Sequence, residues 1–249
     1  DPMLVVLGQE FQVSTGEASR VVSAFAVAYG VLQLIYGPLG DRFGKLRVIF
    51  LAVLACAVFS ALTSMAPNLS MLVVMRAFMG AAAAGIIPLC MAWMGDKVSY
   101  ELRQQTLARL MSATVTGLMA GQWFGGFAAQ YLGWRWAFAA LALLFALATV
   151  LLYMSDMYQA WQPPENQATV TVMTYLQETM GLFKQQNTQR VLLLTLLEGA
   201  FAFGVIVFIP SVLIQDFGMS AFSAGAAMLL YGLGGLMYSQ FAKHWLKLC

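Results

Sequence analysis

A chain of 249 residues that is 61% hydrophobic and 10% charged, with mean hydropathy +0.76 and a formal net charge of +2, cannot build the polar shell of a soluble domain, in which about 25% of residues are charged. Its apolar content also excludes intrinsic disorder, which goes with low hydrophobicity. The class that remains is a polytopic, all-α membrane protein.

A spanning helix needs about 20 consecutive, mostly apolar residues. Residues 2–8 (PMLVVLG) are apolar but too short, and read as the last turns of a helix whose beginning is absent. Asp1-Pro2 carries no basic segment of the kind that opens a secretory signal. Spans follow near 17–40, 47–66, 70–95, 104–130 and 134–154, joined by short polar segments that imply antiparallel neighbours. From Asp156 to Arg190 the composition changes: Pro163-Pro164 interrupts it, Gln and Thr become frequent, and Val172, Leu176, Met180 and Phe183 recur at intervals of four, four and three. That spacing is one face of an amphipathic helix on the cytoplasmic surface, although a loosely ordered linker fits as well. Two further spans are expected near 190–213 and 219–240.

The basic residues orient these spans. Ten of the thirteen Lys and Arg fall on one side of the alternating pattern, among them Arg42, Lys45, Arg47, Lys97, Arg103 and Arg109. Only Arg20 and Arg135 fall on the other, and Arg76 lies inside a span. Positively charged loops stay cytoplasmic, so the joints near 40, 100 and 155–190 face the cell interior. Cys56 and Cys90 sit in apolar stretches and Cys249 stands alone, without metal-ligand spacing, so all three read as small hydrophobes. His244 is the single histidine and cannot anchor a metal site by itself. No metal site, no catalytic group and no nucleic-acid partner are expected.

The chain also repeats itself. Tyr29-Gly30, Tyr36, Lys45 and Leu46 recur 202 residues later as Tyr231-Gly232, Tyr238, Lys247 and Leu248, in the same direction and membrane orientation. Such parallel repeats are related by an axis along the membrane normal.

Three motifs carry chemistry. The first is Gly37-Pro38-Leu39-Gly40-Asp41-Arg42-Phe43-Gly44-Lys45-Leu46-Arg47. Its glycines permit close helix approach, Asp41 suits a helix N-terminus, and Arg42 and Lys45 can pair with acidic groups such as Asp96. The second is Arg76-Ala77-Phe78-Met79-Gly80. An arginine within a span costs about 2.5–3.5 kcal/mol on insertion scales, which favours a functional role over snorkelling to the surface. The third is Gly117-Leu118-Met119-Ala120-Gly121-Gln122-Trp123-Phe124-Gly125-Gly126, with Gly117, Gly121 and Gly125 on one stripe suited to helix contact.

The first motif resembles the cytoplasmic loop signature of the major facilitator superfamily, G-x-L-x-D-R-x-G-[RK]-[RK], with Leu46 in place of the second basic residue. The second resembles that family's R-x-x-x-G pattern. The third is similar to its antiporter signature G-x-x-x-G-P-x-x-G-G, with Gln122 in place of proline. Gly133-Trp134-Arg135-Trp136 is similar to the entry into the family's sixth helix. The nearest type is the twelve-helix drug and sugar efflux permeases. This resemblance implies an incomplete helical bundle holding the end of helix one and helices two to eight. It divides into a six-helix amino-terminal bundle (1–155, first helix truncated), a cytoplasmic linker (156–189) and the first two helices of a second bundle (190–249). The repeat period implies a two-half protein of roughly 400 residues.

The implied function is secondary active transport by alternating access, proton-coupled efflux of a drug- or sugar-like molecule from the cytoplasm across a bacterial inner membrane. The proton gradient would be the coupling ion, with no cofactor, and the partners would be the lipid bilayer and a small-molecule substrate, the complete protein acting as a monomer. Gly37, Gly40, Asp41, Arg42, Gly44, Lys45 and Asp96 would form the cytoplasmic gate. Arg76, associated in the family with proton coupling, and Glu198, a carboxylate within the seventh span, are candidates for coupling. Tyr29, Gln33 and Gln122 are candidate cavity liners, and Gly117, Gly121, Gly125 and Gly126 packing residues. Two alternatives stay open: a non-transporting membrane fragment, and a binding or sensor protein on the same fold. An enzyme is not expected, since no Gly-x-Ser-x-Gly elbow or convergent catalytic set is present.

Overall fold

The structure is a computed structural model that describes residues 2–155, 177, 180–181, 183–230 and 233. The second copy of the repeat from Tyr231 on, apart from residue 233, lies outside the described residues. So do Pro163-Pro164, Val172, Leu176, His244 and Cys249. Among the described residues there are helices and no strands.

Local chemistry sets most helix ends. α1 (Met3–Glu10) closes in a Schellman turn: the Val13 N–H donates to the Gly8 carbonyl at 2.9 Å and the Gln12 N–H to that of Gln9 at 3.4 Å. Gln12 takes the left-handed position of this turn, at φ 54°, where a glycine would escape a cost of about 1–2 kcal/mol. α2 (Thr15–Ala18) starts with a reciprocal capping box. The Glu17 N–H donates to Ser14 Oγ at 3.1 Å, and the Ser14 N–H donates to the Glu17 carboxylate at 3.3 Å. α3 (Arg20–Phe43) and α4 (Lys45–Ser64) meet at Gly44, whose φ of 90° only glycine adopts readily.

Asn68 caps α5 (Leu69–Ala83), its Oδ1 accepting from the Met71 N–H at 2.8 Å. α6 (Ile86–Lys97) follows after a break at 84–85. The span expected near 70–95 is therefore one stretch, 69–97, interrupted at 84–85. Pro88, in the first turn of α6, has no N–H for the preceding turn, which fits an interruption there. α7 (Tyr100–Phe127) runs into a π-helical turn (Ala128–Leu132) that ends at Gly133, φ 90°. α8 (Trp134–Met154), α9 (Gln186–Gln215) and α10 (Ala221–Leu230) complete the described helices.

Among the described residues five helical stretches are long and apolar enough to cross a membrane: 15–43, 45–64, 69–97, 134–154 and 186–215. α7 is long enough but is not among them, unlike the expectation for 104–130. Its first half carries Glu101, Arg103 and Arg109, and its second half is diluted by Gly, Ser, Thr and Gln122.

Contacts gather the chain into two units. One comprises residues 1–18, 98–137 and 206–249, the other 19–97 and 138–205, the described residues of each being considered by themselves. The second unit has a core of Leu46, Val48, Ile49 and Val53 from α4 with Leu89 from α6, covered by Tyr36, Leu39, Trp93 and Phe145. Lipid tails are as apolar as leucine, so burial alone drives little helix association, and close packing at small residues must supply it.

Candidate functional site

The joint between α3 and α4 gathers the first motif. Lys45 Nζ lies 2.5 Å from Asp96 Oδ2 at the end of α6 and 3.6 Å from Asp41 Oδ1 in the last turn of α3. Lys45 is mostly covered (side chain 17% exposed) while both carboxylates are 55% exposed. Gly40 allows this approach, since a Cβ there would stand 2.4 Å from Leu89 Cδ2 of α6. Two details differ from the sequence expectation. Asp41 sits at the C-terminal end of its helix, where the dipole opposes a carboxylate, so its counter-charge is Lys45. Arg42 makes no ion pair among the described residues and stacks instead over Phe43, 5.2 Å from the ring centroid. Gly37 lies one turn before Asp41 on α3.

The second motif works as a unit. Arg76 and Gly80 are four residues apart and so share one face of α5. A Cβ on Gly80 would stand 2.3 Å from the Phe25 carbonyl oxygen, so the glycine lets the α5 backbone rest directly on α3. That contact carries Arg76 over the Phe25 ring at 4.4 Å, with Phe138 of α8 at 5.6 Å. Arg76 Nη1 donates to Met79 Sδ at 3.4 Å, while its Nε is buried with no hydrogen-bond partner. No carboxylate pairs with Arg76 among the described residues, so two aromatic faces are what offset its desolvation. Tyr36, which the sequence marks only as part of the repeat, donates its hydroxyl to the Ala81 and Ala82 carbonyls at 2.9 and 3.2 Å. It thereby supplies a donor to carbonyls at the end of α5, and it fits because Gly85 has no side chain to meet its ring.

Other candidates are dispersed. Tyr29 is half-buried on α3 and stacks on Phe25 with centroids 6.0 Å apart, while Gln33 is exposed on the same helix. Glu198 is exposed on α9 among the described residues, so these residues do not supply the burial that would make it a proton carrier. Among the described residues nothing lies within 4 Å of a Cβ placed on Gly117 or Gly121. The close contact of α7 falls one step round the helix. A Cβ on Gly126 would stand 2.5 Å from the Ala221 carbonyl oxygen of α10, and one on Gly225 would stand 2.9 Å from the carbonyl oxygen of Gln122. Gly125 meets only the tip of Met3, at 3.3 Å. Cys56 is buried and Cys90 partly so, both as thiols. No group of three or more metal-ligating side chains occurs among the described residues.

One cluster has no counterpart in the sequence reading. Glu10, the last residue of α1, accepts a hydrogen bond from Trp134 Nε1 at Oε2 and one from Arg135 Nη1 at Oε1, each 2.5 Å. Arg135 also lies over the Trp134 ring at 4.3 Å, and Phe11 packs against that ring at 5.9 Å. Glu10 lies outside the candidate spans. Partial burial pushes its carboxyl up, but the hydrogen bonds from Arg135 and Trp134 and the Arg135 charge outweigh this, so its pKa is lowered. The partners are 124 and 125 residues away in sequence, and no pattern links them.

Comparison with known proteins follows from this geometry. The sequence model of the family described as Major Facilitator Superfamily matches residues 1–247. The uncharacterized MFS-type transporter YceJ of Bacillus subtilis (strain 168) is 28% identical over 242 residues, which are 96% of this chain and 60% of YceJ. The lincomycin resistance protein of Streptomyces lincolnensis is 30% identical over 163 residues, 64% of this chain and 34% of that protein. The chain therefore spans only part of the length of these relatives. Among solved structures, the partially occluded inward-open xylose transporter XylE from E. coli superposes with a TM-score of 0.57 at 16% identity, covering 99% of this chain and 68% of XylE. At that identity the likeness is one of fold.

Proposed function

Since this chain belongs to the major facilitator superfamily, we propose that it is part of a secondary active transporter that moves a small molecule across a membrane by alternating access. The observation that carries this reading is the joint at Asp41, Lys45 and Asp96. Its carboxylates are solvent-exposed, and exposed ion pairs contribute only about 0–1 kcal/mol. A contact of that strength can form and break within a cycle, and several such contacts together can tip a two-state equilibrium. Moving it from 1:99 to 99:1 takes about 5.5 kcal/mol of differential interaction.

The finer reading is proton-coupled efflux across a bacterial inner membrane. Two features support it: the buried Arg76, whose charge is offset by aromatic rings with no carboxylate beside it among the described residues, and similarity to a relative named for lincomycin resistance. Glu198 and Gln122 stay in the proposal as residues for which a substrate or further helices would supply an environment. The likeness in fold to a xylose transporter keeps sugar-like solutes in the substrate class. The test is reconstitution of the protein carrying this chain into proteoliposomes with an internal pH dye, using lincomycin and D-xylose as probe solutes. Solute movement accompanied by counter-movement of protons, and stopped by a protonophore, is expected. Solute movement that ignores the proton gradient would contradict the coupling.

A further inference from the structure

The stretch 69–97 is built as two rods with an interruption near its middle. α5 contributes 15 residues and α6 12, about 22 Å and 18 Å of helix at roughly 1.5 Å per residue. Next to the break the Ala84 N–H still donates to the Gly80 carbonyl at 3.1 Å, and the Leu89 N–H to the Gly85 carbonyl at 3.0 Å. Between these two bonds Pro88 has no N–H to offer the Ala84 carbonyl four residues before it. Inside a bilayer no bulk water repairs such a gap, so other protein groups must.

Tyr36 of α3 reaches the break from the side. Its hydroxyl donates to the Ala81 and Ala82 carbonyls at 2.9 and 3.2 Å. Its ring lies against Gly85, where a Cβ would stand 2.0 Å from Cδ1. In an unbroken helix those two carbonyls accept from the N–H groups four residues on, which are those of Gly85 and Ile86. The same acceptors therefore have two competing sets of donors. With the Tyr36 hydroxyl the helix is interrupted, and with the Gly85 and Ile86 N–H groups it would be mended. Both arrangements satisfy the carbonyls, which gives the break two discrete states.

The rest of α6 is held in a graded way. Leu89, the residue after Pro88, is buried in the core with α4 and rests on Gly40 of α3. At the far end Asp96 pairs with Lys45 and is more than half exposed. Rotation about 84–85 displaces each residue in proportion to its distance from the break, about 7 Å for Leu89 and about 17 Å for Asp96. The packed leucine therefore moves less than half as far as the exposed carboxylate. Tight packing stands where movement is least, and a separable ion pair where it is greatest. Apolar surface uncovered by the motion meets lipid, which is as apolar as the side chains it leaves.

We propose that α6 is a lever that turns about residues 84–85, with Tyr36 as its hinge pin and the Lys45–Asp96 pair as the catch at its free end. The proposal goes beyond the transport reading and does not depend on it, because distances are measured and not flux. The experiment is pulsed EPR on the protein carrying this chain, in nanodiscs, with spin labels on cysteines introduced into a cysteine-free background. Labels at Lys97 and Leu151 join the end of α6 to α8, and labels at Val74 and Leu143 join α5 to α8 on the other side of the hinge, all at exposed positions. Lys45→Met is expected to shift or broaden the 97–151 distance by about 5 Å, the travel of an arm of ~18 Å through roughly 15–20°, and to leave 74–143 unchanged. Tyr36→Phe, which keeps the ring and removes the donor, is expected to move 97–151 in the same selective way. Adding Lys45→Met to Tyr36→Phe with Pro88→Ala, a mended helix, is expected to produce no further shift. Equal shifts of both pairs in Lys45→Met, no shift of either, a parental 97–151 distance in Tyr36→Phe, or a swing that persists in the mended helix would each overturn the proposal.

Discussion

Two charged clusters hold joints of this chain, and they are built in opposite ways. At the α3–α4 joint one ammonium, Lys45, serves two carboxylates that are each more than half exposed. At the end of α1 one carboxylate, Glu10, is shared by two donors, one of them the indole of Trp134, which is 1% exposed. The first cluster is screened by solvent and salt and can come apart at small cost. In the second, charge-assisted hydrogen bonds are combined with aromatic packing, and breaking it would expose a large apolar ring. The contrast separates a joint suited to opening from a joint suited to fixing a helix end. Charge pairing alone does not tell them apart; burial of the partner does.

Substitutions can break or sharpen this contrast. The largest effect is expected from Trp134→Ala, which removes a buried ring, its contact with Phe11 and a donor to Glu10. A loss of about 3–5 kcal/mol is expected, as for other buried aromatic truncations, read as a lowered thermal midpoint in detergent. A smaller effect follows from acidification. Because the folded-state pKa of Glu10 is depressed, its contribution is fully present above the ordinary carboxyl value and is lost as pH falls through the depressed one. With Glu10 38% exposed, that contribution is at most about 1 kcal/mol. The acid-side slope of the thermal midpoint should flatten in Glu10→Gln. Smallest of the three is Lys45→Met, expected to change stability by no more than about 0.5–1 kcal/mol. A loss as large as that of Trp134→Ala would make the α3–α4 joint structural and erase the distinction.

The contrast also marks what was legible in the sequence. The motif of the α3–α4 joint is contiguous from Gly37 to Arg47, so its residue types and spacing could be read together. Asp96 could be nominated only as one nearby acidic group. Glu10, Trp134 and Arg135 could not be joined, because more than a hundred residues separate the helix end from its partners. The α7 glycines show a related limit. Spacing places Gly117, Gly121 and Gly125 on one stripe, but which part of a helix is covered depends on the neighbour, and of the four glycines expected to pack it is Gly126 that meets α10. The R-x-x-x-G motif was legible as a signal, while its physical reason, Gly80 seating α5 on the Phe25 carbonyl beneath Arg76, needed the crossing of two helices. The capping box at Ser14 and Glu17 and the stop at Gly44 are local chemistry, set by residues within one turn.

The most direct measurement is solute-driven proton movement in proteoliposomes for three proteins: the parent, Asp41→Asn and Glu10→Gln, with bilayer insertion quantified for each. If the α3–α4 joint is the gate, Asp41→Asn inserts normally and loses flux by about tenfold or more, equivalent to roughly 1.4 kcal/mol between states, while Glu10→Gln retains most of its flux. Unchanged flux in Asp41→Asn at normal insertion would contradict the account.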